Sequence, residues 1–173
     1  MKADVTFLSS KLHYDYSLLE KALRSTIEKS FNRGRKDIVI IYGDVCLGFK
    51  HEMKELVDAY GIMKVDAINC VDCLLGGKGQ LLQTDPQHKY FFLTPEWINF
   101  WNKYEKSEES LKDRYSMLEG IVLLDSLGNL GGYEDDIKAI SNATGLPILE
   151  EKKVGLQGLQ NVIEEAIRRM ESY

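Results

Sequence analysis

Apolar residues along the chain switch repeatedly between short continuous runs and a spacing of three to four, and each switch predicts an element. The start, Met1 to Leu8, reads as a strand, with Asp4 to Leu8 its β-prone part. Tyr16 to Phe31 then sets Leu18, Leu19, Ala22, Leu23 and Ile27 on one helical stripe. After Asp37 comes Ile38-Val39-Ile40-Ile41-Tyr42, stopped by Gly43 and Asp44. Such an unbroken run suits a central parallel strand covered on both faces. Phe49 to Tyr60 returns to helical spacing, with Gly61 as its stop.

Met63 to Ile68 predicts the next strand, followed by Asn69-Cys70-Val71-Asp72-Cys73 and a Gly76-Gly77 break that leaves room for a turn or two of helix. A loop through Pro86 leads to the strand Tyr90 to Leu93. Thr94 is an N-cap, Pro95 opens a helix, and Trp97, Phe100, Trp101 and Tyr104 form an aromatic stripe on it. Glu105 to Arg114 reads as a solvated helix or loop. Ile121 to Leu124 is a strand ending at Asp125-Ser126 and a glycine-rich turn, Tyr133 to Ala143 a helix, Leu146 to Leu149 a last short strand, and Leu156 to Met170 a closing amphipathic helix. The alternation predicts one α/β domain over residues 1–173, a three-layer, mostly parallel sheet with helices on both faces, Rossmann-like or flavodoxin-like.

Composition narrows the function classes. The 173 residues are 44% hydrophobic, enough to fill a core, and three prolines with fourteen glycines exclude a disordered or collagen-like chain. A net charge of −5 argues against a general nucleic-acid or anionic-membrane binder, leaving only a local basic patch at Arg33, Arg35 and Lys36. No apolar run approaches the roughly 20 residues that span a bilayer, and no signal-peptide pattern opens the chain. The expected location is the cytoplasm, with no nucleic-acid or membrane partner.

In a parallel α/β sheet, ligands bind outside the carboxyl ends of the strands. The residues at those ends are Gly43 to Cys46, Asn69 to Cys73, Thr94, and Asp125 to Gly128, so all three cysteines, Cys46, Cys70 and Cys73, fall on that edge. An odd cysteine count without a secretion signal argues against a disulfide framework. Three readings stay open. Cys70-Val71-Asp72-Cys73 with Cys46 forms a set of soft ligands for zinc or an iron–sulfur cluster with one open iron, with His13, His51 or His88 as a fourth ligand. Alternatively the thiols react, either as a redox pair or with Cys46 as a nucleophile oriented by His51 or Asp44. Or they are small core residues at strand ends.

Other positions at the edge are candidates for cofactor contact: Gly43 and Asp44, Gly76 and Gly77, and the Asp125-Ser126-Leu127-Gly128-Asn129-Leu130-Gly131-Gly132 turn, where glycines admit an anion to backbone amides and Asp125 either binds a ligand or caps the helix. The dinucleotide Gly-x-Gly-x-x-Gly, the phosphate-loop Lys-Ser/Thr and the corrinoid Asp-x-His-x-x-Gly are all absent. The aromatic stripe from Trp97 to Tyr104 packs in the core or forms a partner or cofactor face, a homodimer among the options.

Several of these segments carry a family resemblance. Tyr42-Gly43-Asp44-Val45-Cys46-Leu47-Gly48 resembles a Tyr-Gly-x-Cys-Gly element, Asn69 to Gly77 resembles Asp-Cys-Ile-x-Leu-Leu-Leu-Gly-Ser, and Phe91-Phe92-Leu93-Thr94-Pro95-Glu96-Trp97 is similar to an aromatic-Leu-Thr-x-x-Trp stretch. Leu124-Asp125-Ser126 and Gly155-Leu156-Gln157-Gly158-Leu159 match the late strand and final helix entry. These are elements of the domain-of-unknown-function family 1638, found largely in methanogenic archaea and anaerobic bacteria. The resemblance covers Ile38 to the C-terminus. It implies an anaerobic setting, one-carbon metabolism, and a corrinoid or methyltransferase protein as partner, with no established activity to carry over. The chain departs from the pattern: Val45 displaces Cys46 by one position, Asn69 replaces an aspartate, Cys73 replaces a leucine, and Ser9 or Ser10 stands where the family has an early cysteine. The divergent member expected is a metal or iron–sulfur binding protein on Cys46, Cys70 and Cys73. The alternatives are a small thiol-dependent enzyme transferring a methyl or acyl group and a non-catalytic interaction domain with core cysteines.

Overall fold

The computed structural model describes residues 3–104 and 111–172, the side chain of Tyr104 apart. Helix α1 (Tyr16–Asn32) starts where the Asp15 carboxylate accepts the Leu18 N–H at 3.1 Å, and it buries Leu19, Leu23 and Ile27, successive turns of one stripe. Strand β1 (Val39–Ile40) is followed by a 3₁₀ turn, Asp44–Leu47, and helix α2 (Glu52–Tyr60), which Gly61 ends in the left-handed region. Strand β2 (Met63–Lys64) leads to two short helices, α3 (Cys70–Leu75) and α4 (Gln80–Thr84). Strand β3 (Tyr90–Leu93) runs into α5 (Pro95–Tyr104), capped as its sequence predicts by Thr94, whose Oγ1 accepts the Trp97 N–H at 3.2 Å. Then come α6 (Leu111–Tyr115), β4 (Gly120–Asp125), α7 (Glu134–Thr144), β5 (Ile148–Lys153) and α8 (Gln157–Glu171).

Among the described residues every strand pairing is parallel. β1 pairs with β2, and β3, β4 and β5 form a second ladder in that order. Side chains alternate between two helical layers, as the two-residue period of a strand requires. On the first ladder, Ile40 packs with α1 and α2 through Leu23, Ile27, Met53 and Leu56, while Val39 faces α8 and Cys73. On the second, Leu93, Ile121 and Leu123 pack on α5 and α7, while Phe92, Val122 and Leu124 pack on α3 and α4. The result is an α/β structure with helices on both sides of parallel strands. No helix among the described residues is long and apolar enough to cross a membrane.

Helix α3 belongs to both halves. Its Val71 and Leu75 pack on β3 and β4, and its Cys73 packs with Val65, Ala67, Val162 and Ala166 beside the first ladder. The short helix thus stands at the junction of the two ladders.

The strand pattern departs from expectation in three places. Asp4 to Leu8 forms no strand; it runs unpaired, with Phe7 89% exposed, because no neighbouring edge takes up its backbone. Met1 and Lys2 lie outside the described residues. The run Ile38 to Tyr42 is not the central strand. Only Val39–Ile40 is strand, it has one partner, and Ile41 is exposed. The central position belongs to β4, buried at all six residues. The last strand starts later than Leu146 and runs on through Glu150-Glu151-Lys152-Lys153, residues that an edge strand tolerates because one side meets water. The aromatic stripe also divides. Trp101 is core, against Phe91 and Tyr115, while Trp97 and Phe100 are half-buried toward the carboxyl edge. The charged residues Glu105 to Glu109 lie outside the described residues.

Candidate functional site

The carboxyl end of β1 is tied to the start of α3. The Asp44 and Val45 N–H groups donate to the Ala67 and Ile68 carbonyls at 3.0 and 3.1 Å, extending the β1–β2 pairing beyond the two strands. Gly43 makes the approach possible: a Cβ there would overlap the Ile68 carbonyl and the Asn69 backbone. The 3₁₀ turn carrying Cys46 is thereby pressed against the turn carrying Cys70.

Helix α3 is held by its own residues. The Asn69 side chain accepts the Asp72 N–H at 2.9 Å as N-cap. The Asp72 carboxylate, fully buried, accepts the N–H groups of Ile68, Gly79 and Leu81 at 2.9, 3.1 and 2.8 Å. It pins the end of the β2 segment, the glycine loop and the start of α4 together. Gly77 lies where a Cβ would meet the Asp66 carbonyl and the Val162 side chain, so this glycine serves close packing under α8. Gly76 is the left-handed stop of α3.

The three thiols are neighbours in charge as well as in chain path. Burial raises the Cys46 thiol pKa to about 11, with the Cys70 thiolate and the Asp44 carboxylate adding to the rise. Cys73 is pushed up to about 12, first by burial and then by repulsion from Cys70 and Cys46. Cys70 opens to solvent, yet desolvation by the surrounding protein raises its pKa too, against the lowering influence of the polar Trp97 side chain. All three cysteines are free.

A cation completes the cluster. The Lys64 Nζ is 2.7 Å from Asp44 Oδ1 and donates to the Val65 carbonyl at 2.7 Å, with its side chain 16% exposed. Its charge lowers the pKa of both Cys46 and Cys73 against the larger effect of burial. From the second ladder, Glu96 and Trp97 reach the same place: Cys70 feels the Glu96 charge, and Ser126 Oγ lies 3.4 Å from Glu96 Oε1. Over the edge lies the N-terminal 3₁₀ turn Ser10–Tyr14, where His13 sits 6.3 Å from the Tyr42 ring and 6.1 Å from Phe100, and Tyr14 stacks on Phe100 at 5.0 Å. Burial lowers the His13 pKa. Tyr42 is raised by burial and by Cys46.

The structure thus brings Gly43, Asp44, Cys46, Cys70 and Cys73 into one neighbourhood. Asp125 and Gly128 serve a local turn, the Asp125 carboxylate accepting the Gly128 and Asn129 N–H groups at 2.7 and 3.2 Å. His51 and His88 are exposed residues with left-handed backbone. Among the described residues, no three His, Cys, Asp or Glu side chains stand grouped as metal ligands, and Cys73 rests in an apolar core pocket. Lys64 and Tyr42 are site residues that sequence reading passes over, whereas Trp97 belongs to the aromatic stripe that the sequence offers as core or as a partner or cofactor face. A lysine inside the apolar run Met63 to Ile68 is the signal that was there to be read.

No curated protein and no solved structure matches the chain. One family model does, over nearly the whole length and including all three cysteines, the carboxyl edge and the final helix. By that match, over residues 7–171, the chain belongs to the DUF1638 family, whose description is a protein of unknown function.

Proposed function

We propose that this protein is a binding module whose carboxyl edge takes a thiophilic metal centre, zinc or the iron of an iron–sulfur cluster, on Cys46, Cys70 and Cys73. The observation that carries the reading is the delivery of three free thiols by two adjacent strand ends, which the hydrogen bonds of Asp44 and Val45 to Ala67 and Ile68 and the close approach at Gly43 hold together. Thiolates packed together repel one another, and a soft cation bound between them removes that repulsion. Three thiolates on a divalent ion leave net negative charge, which the Lys64 ammonium beside Cys46 and Cys73 offsets. Trp97 supports Cys70 as outer-shell donors support metal ligands. Loading draws Cys73 out of its apolar pocket and releases protons, so uptake strengthens as pH rises.

The raised thiol pKa values count against nucleophilic catalysis at neutral pH, because the reactive form of cysteine is the thiolate; a metal must displace the same protons, a cost that its bonds to sulfur offset. Free thiols fit a reducing, cytoplasmic setting. The test is metal and acid-labile sulfide content after purification without oxygen, with an absorption spectrum of the same sample. Near-stoichiometric iron with sulfide supports a cluster, and zinc without sulfide supports a single ion. Both must disappear in the Cys46→Ser, Cys70→Ser double variant. A metal-free wild type that also takes up neither zinc nor a reconstituted cluster contradicts the reading.

A further inference from the structure

Strand β5 is an open edge. Five of its six residues pair with β4 along one side, Leu149 being skipped at a bulge, and among the described residues no strand pairs along the other. Ile148 and Leu149 are 44% and 49% exposed, and Glu150, Glu151 and Lys153 are exposed as well. Helix α7 does not seal this border: a half-open pocket of about 210 Å³ lies between Ile148 and Glu151 of the strand and Ile137 and Lys138 of the helix. An exposed edge with apolar residues is a template for another strand.

The charges on the edge say which strand. Register with β4 sets Glu150 and Lys152 on one face, level with Val122 and Leu124, and Glu151 and Lys153 on the other, level with Leu123 and Asp125. An edge guarded by charges of one sign repels its own copy. Two glutamates followed by two lysines attract their own reverse.

We propose that β5 joins two copies of this chain, the strands running antiparallel about a two-fold axis at Glu151, so that the two three-stranded ladders become one six-stranded sheet. A two-fold contact uses the same patch on both subunits. Centred on Glu151, it sets Glu150 of each chain opposite Lys152 of the other, on the same face. Within one chain Lys152 Nζ already lies 3.0 Å from Glu150 Oε1, so pairing closes an alternating ring of four charges. The two Glu151 carboxylates meet at the axis, with Lys153 of each chain beside them and Lys138 lining the same pocket.

Sedimentation or light scattering on the full chain tests this. The wild type is expected at dimer mass. Lys152→Glu, which sets like charges opposite each other, is expected to give monomers with an unchanged circular dichroism spectrum. The swap Glu150→Lys, Lys152→Glu restores complementarity and is expected to restore the dimer. A monomeric wild type overturns the proposal. So does a dimer that Lys152→Glu leaves intact, and so does a swapped variant that stays monomeric.

Discussion

The two parallel ladders are built to different standards. The β3–β4–β5 ladder has a central strand buried at all six residues, with Ile121 and Leu124 fully inaccessible and a helical layer on each face. The β1–β2 ladder is two residues long on each side and is extended by single hydrogen bonds from loop residues. Yet the shorter ladder carries all three thiols, the half-buried lysine and the close approach at Gly43. The longer ladder contributes mainly a support, Trp97 and Glu96 at the head of α5. Elements that must rearrange around a ligand come from the less stable end of a structure. The difference between the ladders therefore teaches where adjustment is cheap: at the thiols and not in the central sheet.

The largest expected effects separate the two halves. Ile121→Ala removes a fully buried side chain from the central strand and should cost about 2–5 kcal/mol, read as a shift of the urea midpoint. Asp72→Ala leaves three N–H groups without their acceptor and should cost about 3 kcal/mol or more, since each such group costs about 1–3 kcal/mol. The comparison fails if Asp72→Ala leaves the midpoint unchanged, because α3 would then not depend on its anchor. Hydrogen exchange sharpens it further. The amides of Met63 and Val65, bonded to the Ile38 and Ile40 carbonyls, should exchange through local opening well before those of Val122 and Leu124. Equal protection in both ladders would erase the distinction.

The sequence makes the alternation legible, together with both helix boundaries that carry explicit signals: Thr94-Pro95 opening α5 and Gly61 closing α2. It also places the cysteines at the strand ends, because strand order and chain direction alone fix which residues leave a parallel ladder at its carboxyl edge. Which run becomes the central strand is not legible. Ile38 to Tyr42 is as apolar and β-branched as Ile121 to Leu124, and only tertiary packing decides that Ile41 faces water while β4 is covered on both faces. Cys73 shows the same limit. Its spacing from Cys70 suits a shared ligand, while its pocket among Val65, Ala67, Val162 and Ala166 depends on α8, far along the chain.

A smaller effect follows from the thiols themselves. Cys46 and Cys73 hold their protons in the folded chain up to about 11 and about 12, while an unfolded thiol titrates near about 8.5. Above that lower value the folded state binds more protons than the unfolded one, so stability is full at neutral pH and falls as pH rises toward the folded values. Urea midpoints measured across this range should decline, and Cys73→Ala should flatten the decline. A flat profile in the wild type would mean that the thiols are not shielded as described. The smallest effect is expected at Trp97: Trp97→Phe keeps the aromatic packing and removes the indole N–H that favours the Cys70 thiolate, and should weaken metal affinity about tenfold with little change in stability.

Bound to metal, the three cysteines from two strand ends act as one site. Zinc titration of the reduced protein, followed by calorimetry, tests it on the wild type and on Cys46→Ser, Cys70→Ser and Cys73→Ser separately. One zinc per chain, with release of protons and a loss of about tenfold or more in affinity in each single variant, is the predicted result. Binding that is absent, or that none of the three substitutions weakens, would contradict it and return the cysteines to the core.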